Sequence, residues 1–163
     1  MSTLLENLRR ICGRPHVLTH EDPQTDLSAW EQDWRKRSHG RALAVVRPAN
    51  VQEVAAVVKA CASTSTSIVP QGGNTGLAVG SIPDDSGQQV VLSLQRMNKI
   101  RSLDAANLTV IAEAGCILQQ VQTHVEEAGY LFPLSLAAEG SCTLGGNLGT
   151  NAGGTQVVRF GNT

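Results

Sequence analysis

The chain has 163 residues, which is enough for one domain with a hydrophobic core and too few for two ordinary ones. Apolar residues make up 41% of the sequence, a proportion typical of globular rather than disordered proteins. The net charge of −1, with acidic and basic residues interspersed, argues against a nucleic-acid-binding surface and against a polybasic membrane anchor.

The cysteines and the N-terminal residues indicate the compartment. We expect no secretory h-region at the N-terminus, because Glu6, Arg9 and Arg10 interrupt its short apolar stretch. No apolar run approaches the roughly 20 residues that cross a bilayer. Widely spaced cysteines without a Cys-x-x-Cys pair favour unpaired thiols over a disulfide framework or a zinc site, so we predict a cytoplasmic protein without a metal. The cysteines are Cys12, Cys61, Cys116 and Cys142.

The first half of the chain predicts a helix, a polar stretch and then a parallel βαβ unit. The helix covers residues 3–12, and the first strand runs from Leu43 to Val46. Asn50 and Glu53 are spaced as a capping box at the start of a second helix. A second strand begins at Ile68. The buried stripe of the second helix is predicted to be Val54, Val57, Val58 and Cys61.

The second half predicts three strands and one helix. The strands cover residues 90–94, 100–103 and 108–114, and a short extended piece covers residues 130–133. Gly129 ends the helix. The apolar face of that helix is predicted to consist of Leu118, Val121, Val125 and Ala128. We therefore expect an α+β fold with a small parallel βαβ subdomain and a larger mixed or antiparallel sheet subdomain.

The first glycine segment, residues 70–81, has the composition of an anion-binding loop. Its glycines permit a close approach of the backbone to a ligand, and successive free N–H groups form a concave nest for phosphate. No lysine is present, which excludes a P-loop. The turn at residues 82–87, where a helix would be needed, excludes a Rossmann fingerprint. An ordinary glycine-rich loop between strands remains the alternative.

The second glycine segment, residues 133–154, contains six glycines with interleaved Ser, Thr and Asn. These residues can surround an extended polar ligand with uncharged hydrogen bonds. A flexible surface loop is the alternative, but Leu144, Leu148 and Ala152 add apolar anchors that such a loop lacks. Two segments of this kind indicate a ligand with a diphosphate and a flat ring system.

Ordered motifs connect these segments to a known family. They are Pro70-Gln71-Gly72-Gly73-Asn74-Thr75-Gly76, Val91-Leu92-Ser93-Leu94 with Met97-Asn98, and Gly140-Ser141-Cys142 continuing to Gly154. They resemble the FAD-binding domain of the vanillyl-alcohol oxidase/PCMH-type flavoprotein superfamily. The most similar branch is the FAD-linked D-2-hydroxyacid dehydrogenases, which include D-2-hydroxyglutarate dehydrogenase, D-lactate dehydrogenase and the FAD subunit of glycolate oxidase.

The resemblance implies FAD as the cofactor, with two groups of contacts around one dinucleotide. The pyrophosphate group consists of Pro70, Gln71, Gly72, Gly73, Asn74, Thr75, Gly76, Leu77, Gly80 and Ser81. The group lining the isoalloxazine and ribityl portion consists of Pro133, Leu134, Ser135, Gly140, Ser141, Cys142, Gly145, Gly146, Asn147, Thr150, Asn151 and Gly153. Some members of the superfamily attach the flavin through a histidine of the first loop. Asn74 stands in that region here, so we expect non-covalent FAD.

The resemblance also implies a domain organisation. Residues 1–40 would form an N-terminal helical or irregular segment, and residues 41–163 an FAD-binding PCMH-type domain truncated at its C-terminal end. The substrate (cap) domain, which in the resembled enzymes carries catalytic histidines and in several branches a divalent metal, would be absent. No catalytic residue is therefore assigned, and the isolated chain is expected to be inactive.

The implied function is that of the FAD-binding portion of an oxidoreductase that oxidises a D-2-hydroxy acid to the 2-oxo acid. The substrate would be of the lactate, glycolate or 2-hydroxyglutarate class. Three points stay open: the identity of the electron acceptor, the formation of a homodimer, and peripheral attachment to the inner membrane through the acceptor. So do two alternatives: a stand-alone or split-subunit flavin-binding module without its own catalytic activity, and another enzyme of the superfamily.

Overall fold

The computed structural model describes residues 2–163, with side chains from residue 3 onwards. It divides into two compact units, Met1–Arg96 and Met97–Thr163. The helices are α1 (Ser2–Cys12), α2 (Ser28–Glu31), α3 (Val51–Ser63), α4 (Leu118–Glu127), α5 (Leu144–Gly149) and α6 (Val157–Phe160), with a 3-10 turn at Arg14–His16. The strands are β1 (Val17–Leu18), β2 (Ala42–Val46), β3 (Ile68–Gln71), β4 (Gln89–Ser93), β5 (Ile100–Asp104) and β6 (Thr109–Ala112).

The first unit contains a four-stranded sheet in the order β1-β2-β4-β3. Strand β4 is parallel to both of its neighbours, and β1 is antiparallel to β2. The predicted parallel arrangement of β2 and β3 is confirmed, but the two strands are not adjacent, because β4 lies between them. Val90 and Val91 of β4 are fully buried, as expected for the central strand of a parallel sheet.

Helices α1 and α3 supply the main core of this unit. Leu8 of α1 and Val57 of α3 are fully buried in the same apolar cluster as Val90. Full burial of one such side chain stabilises the fold by about 1.5–3 kcal/mol. The predicted cap of α3 is confirmed, since Asn50 Oδ1 accepts a hydrogen bond from the Glu53 N–H at 2.8 Å.

The predicted stripe of α3 is correct except at Val58. This side chain is 44% exposed, whereas Ala60 is buried beside Val57 and Cys61. Residues 57 and 58 are adjacent on the helix, so they point about 100° apart and cannot both face the sheet.

The second unit contains the antiparallel pair β5-β6 and helix α4. Val121 and Val125 of α4 are buried with Cys116, and Val110 of β6 packs against this cluster. Gly129 follows the helix with a φ of 82°, which fits the predicted C-terminal stop.

The α+β class is confirmed, but the predicted sizes of its two parts are not. The sheet with the parallel strands has four strands, and the antiparallel sheet has two within residues 2–163. Residues 130–133 form no strand, and residues 144–149, expected as part of a loop, form helix α5. In the described residues, no helix has both the length and the apolar character that crossing a bilayer requires.

Candidate cofactor site

The first glycine segment begins where β3 ends, at the carboxyl end of the parallel strands. Gln71, the last residue of β3, lies opposite Ser93, the last residue of β4. Ligands of open α/β sheets bind outside the carboxyl ends of the strands. The position of residues 72–81 in this unit is therefore that of a ligand-binding loop.

The backbone N–H groups of this loop are free. In the described chain, none of the N–H groups of residues 72–81 donates a hydrogen bond to another protein atom. A Cβ atom placed on Gly76 or Gly80 would meet no atom within 4 Å, so both residues border open space. Unpartnered N–H groups with access to a ligand fit a diphosphate, whose oxygens only accept hydrogen bonds.

The polar side chains of the loop are, by contrast, bonded within the protein. Asn74, which has a φ of 52°, donates from Nδ2 to the carbonyl groups of Ala29 and Gln32 at 3.1 and 2.7 Å. Its Oδ1 accepts a hydrogen bond from Ser81 Oγ at 2.8 Å. The resemblance assigns Asn74 and Ser81 to the pyrophosphate contacts, but their side chains bond within the protein and hold the loop in shape.

Gln71 has the same role at the start of the loop. It is 4% exposed, and its Nε2 donates to the carbonyl groups of Trp30 and Ser81 at 2.9 and 2.7 Å. The partners of these amides, which lie in and next to α2, were not predicted from the sequence. A helix of four residues is too short for a periodic apolar pattern, so no signal in the sequence identifies it.

Next to the loop, the first unit has an open depression of about 460 Å³. Pro70, Gly80, His39 and Asp84 are among the residues that line it. Hydrogen bonds from the Ser86 hydroxyl and N–H groups lower the pKa of Asp84, so this carboxylate is ionised at neutral pH. Because an ionised carboxylate repels phosphate, the depression suits an uncharged part of a ligand.

In the second unit, the second glycine segment starts with a turn that is stabilised by hydrogen bonds within the unit. The Leu134 carbonyl accepts a hydrogen bond from Gln122 Nε2 at 2.7 Å. Hydrogen bonds from the side chains of Ser135 and Gln122 and from the Leu136 N–H lower the pKa of Glu139. A Cβ atom on Gly154 would collide with the backbone of Ser135, so only glycine fits there.

Helix α5 uses several of the residues that we expected to line the flavin. The Gly145 N–H donates to the Ala114 carbonyl at 2.8 Å, and a Cβ on Gly145 would lie 2.8 Å from Ala114 Cβ. Asn147 is 4% exposed, and its Nδ2 donates to Cys142 Sγ at 3.5 Å. Gly145 and the side chain of Asn147 therefore have partners inside this unit.

The second segment also has members that are accessible to a ligand. Among the predicted flavin contacts, the exposed ones are Gly140, Ser141, Thr150, Asn151 and Gly153. The first glycine segment belongs to one compact unit and the second segment to the other, so each segment is described within its own unit. A shared cleft around one dinucleotide stays a prediction.

Asp33 and the four cysteines are all buried. Asp33 is 4% exposed, and hydrogen bonds from the N–H groups of Ser38, Arg37 and Arg35 lower its pKa. The residues around it thus form a turn that these hydrogen bonds stabilise. The four cysteines are free and buried. Within residues 2–163, no three His, Cys, Asp or Glu side chains are grouped so that they could hold a metal ion.

Comparison with curated proteins finds relatives over most of the chain. Mitochondrial D-2-hydroxyglutarate dehydrogenase from Arabidopsis thaliana is 39% identical over 153 residues, which are 94% of this chain and 26% of that protein. D-2-hydroxyglutarate dehydrogenase from Xanthomonas citri pv. viticola is 41% identical over 138 residues, 85% of this chain and 29% of that protein. A putative mitochondrial D-lactate dehydrogenase from Schizosaccharomyces pombe is 39% identical over 140 residues, 86% of this chain and 26% of that protein. The chain thus spans between a quarter and a third of the length of these relatives.

Solved structures share the fold at lower identity. Alkyldihydroxyacetonephosphate synthase superposes with a TM-score of 0.84 at 19% identity, over 99% of this chain and 31% of that one. p-Cresol methylhydroxylase superposes with a TM-score of 0.68 at 22% identity, over 93% of this chain and 29% of that one. A family profile described as FAD binding domain matches residues 42–163. The chain therefore belongs to the FAD-binding domain family of the PCMH-type flavoproteins, and its cofactor is FAD.

Proposed function

We propose that this chain is the FAD-binding part of an oxidoreductase that converts a D-2-hydroxy acid of the lactate, glycolate or 2-hydroxyglutarate class to the 2-oxo acid. The proposal is supported by relatives that are named as D-2-hydroxyglutarate and D-lactate dehydrogenases. The observation that carries it is the run of unpartnered N–H groups at residues 72–81, inside the matched FAD-binding domain.

The residues of the chain bind and orient the cofactor in this proposal. FAD, when bound, supplies the acceptor for the hydride of the hydroxy acid. The N–H groups of residues 72–81 compensate the charge of the diphosphate without a lysine. The exposed members of the second segment, such as Ser141 and Asn151, contact the uncharged flavin and ribityl portion.

The proposed binding mode is non-covalent. Residues 70–81 contain no histidine, cysteine or tyrosine that could bond to the flavin ring. An amide nitrogen is not a nucleophile, and both polar atoms of the Asn74 side chain already have partners. Acid precipitation of the reconstituted protein should therefore release all yellow colour into the supernatant. Flavin that stays in the pellet would contradict this mode.

The catalytic part of the proposal is tested by anaerobic reduction of the bound flavin. We expect the chain alone to bind FAD, seen as quenching of flavin fluorescence, without bleaching by D-lactate, glycolate or D-2-hydroxyglutarate. Addition of a polypeptide that carries the substrate domain should allow one of these acids to bleach the flavin, while the L-enantiomers of the chiral acids serve as controls. Bleaching by the chain alone would contradict the assignment of catalysis to other residues.

A second candidate is a flavin-binding module without its own catalytic activity. The observation in its favour is that the family profile over residues 42–163 is described by FAD binding alone, without a reaction. The same experiment separates the two functions. A module would retain oxidised FAD with every D-2-hydroxy acid, whether or not the second polypeptide is present.

A further inference from the structure

The C-terminal end of α2 contacts the first glycine segment through backbone carbonyl groups. The last carbonyls of a helix have no partner within it. Here the Ala29 carbonyl accepts from Asn74 Nδ2, and the Trp30 carbonyl accepts from Gln71 Nε2. Gln32, just after the helix, accepts the second hydrogen bond of Asn74. Two amide side chains of the loop thus satisfy three carbonyls of this segment.

Glu31 attaches the same segment to the sheet. Its side chain is buried, and its Oε1 accepts hydrogen bonds from His20 Nε2 at 2.8 Å and from the Ala42 N–H at 2.7 Å. Its carbonyl accepts a hydrogen bond from the Gly40 N–H at 2.8 Å. Because Ala42 is the first residue of β2, the Glu31 carboxylate fixes α2 against the sheet that carries the loop.

The chain beyond the loop contacts the same N-terminal segment. A Cβ on Gly40 would collide with the Pro83 carbonyl, and the Arg41 N–H donates to the Asp84 carbonyl at 2.7 Å. Residues 29–41 therefore contact the loop at its start and in its middle, and they contact the chain just after its end. All of these residues precede the range that the FAD-binding profile matches, which begins at residue 42.

We propose that residues 29–41 are a positioning element for the FAD-binding loop. Glu31 within this element, and Gln71 and Asn74 of the loop that bond to it, are the positioning residues. Their side chains do not contact the cofactor. They fix the loop in a shape in which the N–H groups of residues 72–81 are free for the diphosphate, so little order has to be gained on binding. This inference rests on the FAD binding of the proposed function and extends it to residues outside the matched domain.

The test compares Asn74→Asp with the matched control Asn7→Asp in the full chain. Asp at 74 keeps the size of the side chain but directs a carboxylate oxygen at two carbonyls. Asp at 7 adds the same charge on α1, where the Asn7 side chain accepts a hydrogen bond from Arg10. Dissociation constants are measured for FAD, for ADP as a diphosphate without flavin, and for riboflavin as a flavin without phosphate.

For Asn74→Asp we expect at least about tenfold weaker binding of FAD and of ADP, because two hydrogen bonds are replaced by repulsion. Riboflavin binding should be unchanged, and Asn7→Asp should resemble the unsubstituted chain for all three ligands. Equal loss of riboflavin and FAD affinity, or unchanged FAD affinity, would overturn the inference. Absence of FAD binding by the unsubstituted chain would instead refute the proposed function on which the inference rests.

A second variant, Glu31→Gln, covers the case in which Asn74→Asp does not fold. Gln at 31 keeps the shape and the shared Oε1 acceptor, but it removes the negative charge that strengthens both hydrogen bonds. We expect about three- to tenfold weaker binding of FAD and ADP, with an unchanged far-UV circular dichroism spectrum and unchanged riboflavin binding. A lower melting temperature with an unchanged ratio of ADP to riboflavin affinity would show a merely structural role and overturn the inference.

Discussion

Substitution of Gly145 by alanine should destabilise the second unit, whereas the same substitution at Gly149 should not. Both glycines lie in α5, so both variants gain up to about 1 kcal/mol of helix propensity. A Cβ at 149 meets no atom within 4 Å, but a Cβ at 145 lies 2.8 Å from Ala114 Cβ and 3.0 Å from its carbonyl oxygen. Two non-bonded carbon atoms normally lie about 3.5–4.0 Å apart.

Relief of this contact requires α5 to move away from Ala114, which stretches the hydrogen bond from the Gly145 N–H. Overpacking of this kind costs about 1–3 kcal/mol. The comparison with Gly149→Ala cancels the propensity gain, so the full cost appears as a difference in the free energy of unfolding.

Urea titrations of the two variants measure this difference as a shift in the midpoint at constant slope. We expect the Gly145→Ala midpoint to lie below that of Gly149→Ala, and the Gly149→Ala midpoint to equal or exceed that of the unsubstituted chain. Equal midpoints for the two variants would refute the reasoning, because they would mean that Gly145 has room for a methyl group and is not required for packing.

Three further predictions concern the first unit. Gly76→Ala should leave the unfolding free energy of the cofactor-free chain unchanged or raise it by up to about 1 kcal/mol, since its Cβ meets no protein atom. It should nevertheless weaken FAD binding in a fluorescence titration; unchanged affinity would exclude this side of the loop as the diphosphate site. Leu8→Ala should lower the free energy of unfolding by about 2–5 kcal/mol in a urea titration, because Leu8 is fully buried; a loss below about 1 kcal/mol would contradict its place in the core. Asp33→Asn should lower the melting temperature at pH 7. Because the folded pKa of Asp33 is lowered, its ionised form stabilises the fold fully above the unfolded pKa of about 3.9, and this stabilisation is lost as the pH falls through the folded pKa. The difference between variant and unsubstituted chain should therefore shrink below about pH 4, and a difference that persists there would contradict the carboxylate's role.

The elements that the sequence predicted well are those with local signals. Asn50 and Glu53 have the spacing of a capping box, at which Asn50 Oδ1 accepts a hydrogen bond from the Glu53 N–H. The Glu53 carboxylate in return accepts from Asn50 Nδ2 and from the Ala49 N–H. Gly129 ended α4 as expected because the positive φ at that position favours glycine. In both cases the physical cause lies within a few residues of its effect.

The order of the strands could not be predicted, because it depends on contacts between distant residues. Nothing near Val90 indicates that β4 inserts between β2 and β3, since an apolar run of this length fits any buried strand. Helix α5 was missed for a different reason. Three of its six residues are glycines, which disfavour helices, and the signal that remained was Thr143, which caps the helix by accepting a hydrogen bond from the Gly146 N–H.

At the candidate site, the loop assigned to the diphosphate stays a prediction, and the sequence did not indicate the partners of its amide side chains. An amide such as that of Gln71 or Asn74 can donate to a phosphate or to a backbone carbonyl, and composition does not distinguish the two. Here both amides donate to carbonyl groups in and next to α2, which lie about 40 residues earlier in the chain and have no partner within the helix. The openness of the loop backbone was predictable, because glycine has no Cβ and lets a ligand approach the main chain.

The insertion of β4 between β2 and β3 has a consequence for biosynthesis. When the ribosome has released only residues 1–88, β3 has no partner, and β2 has a neighbour on one side only. Until Gln89–Ser93 emerges, both strands present open edges to other nascent chains, which is the condition under which intermolecular pairing begins. Chaperone capture during translation should therefore be strongest just before residue 89 leaves the exit tunnel and should decline soon afterwards.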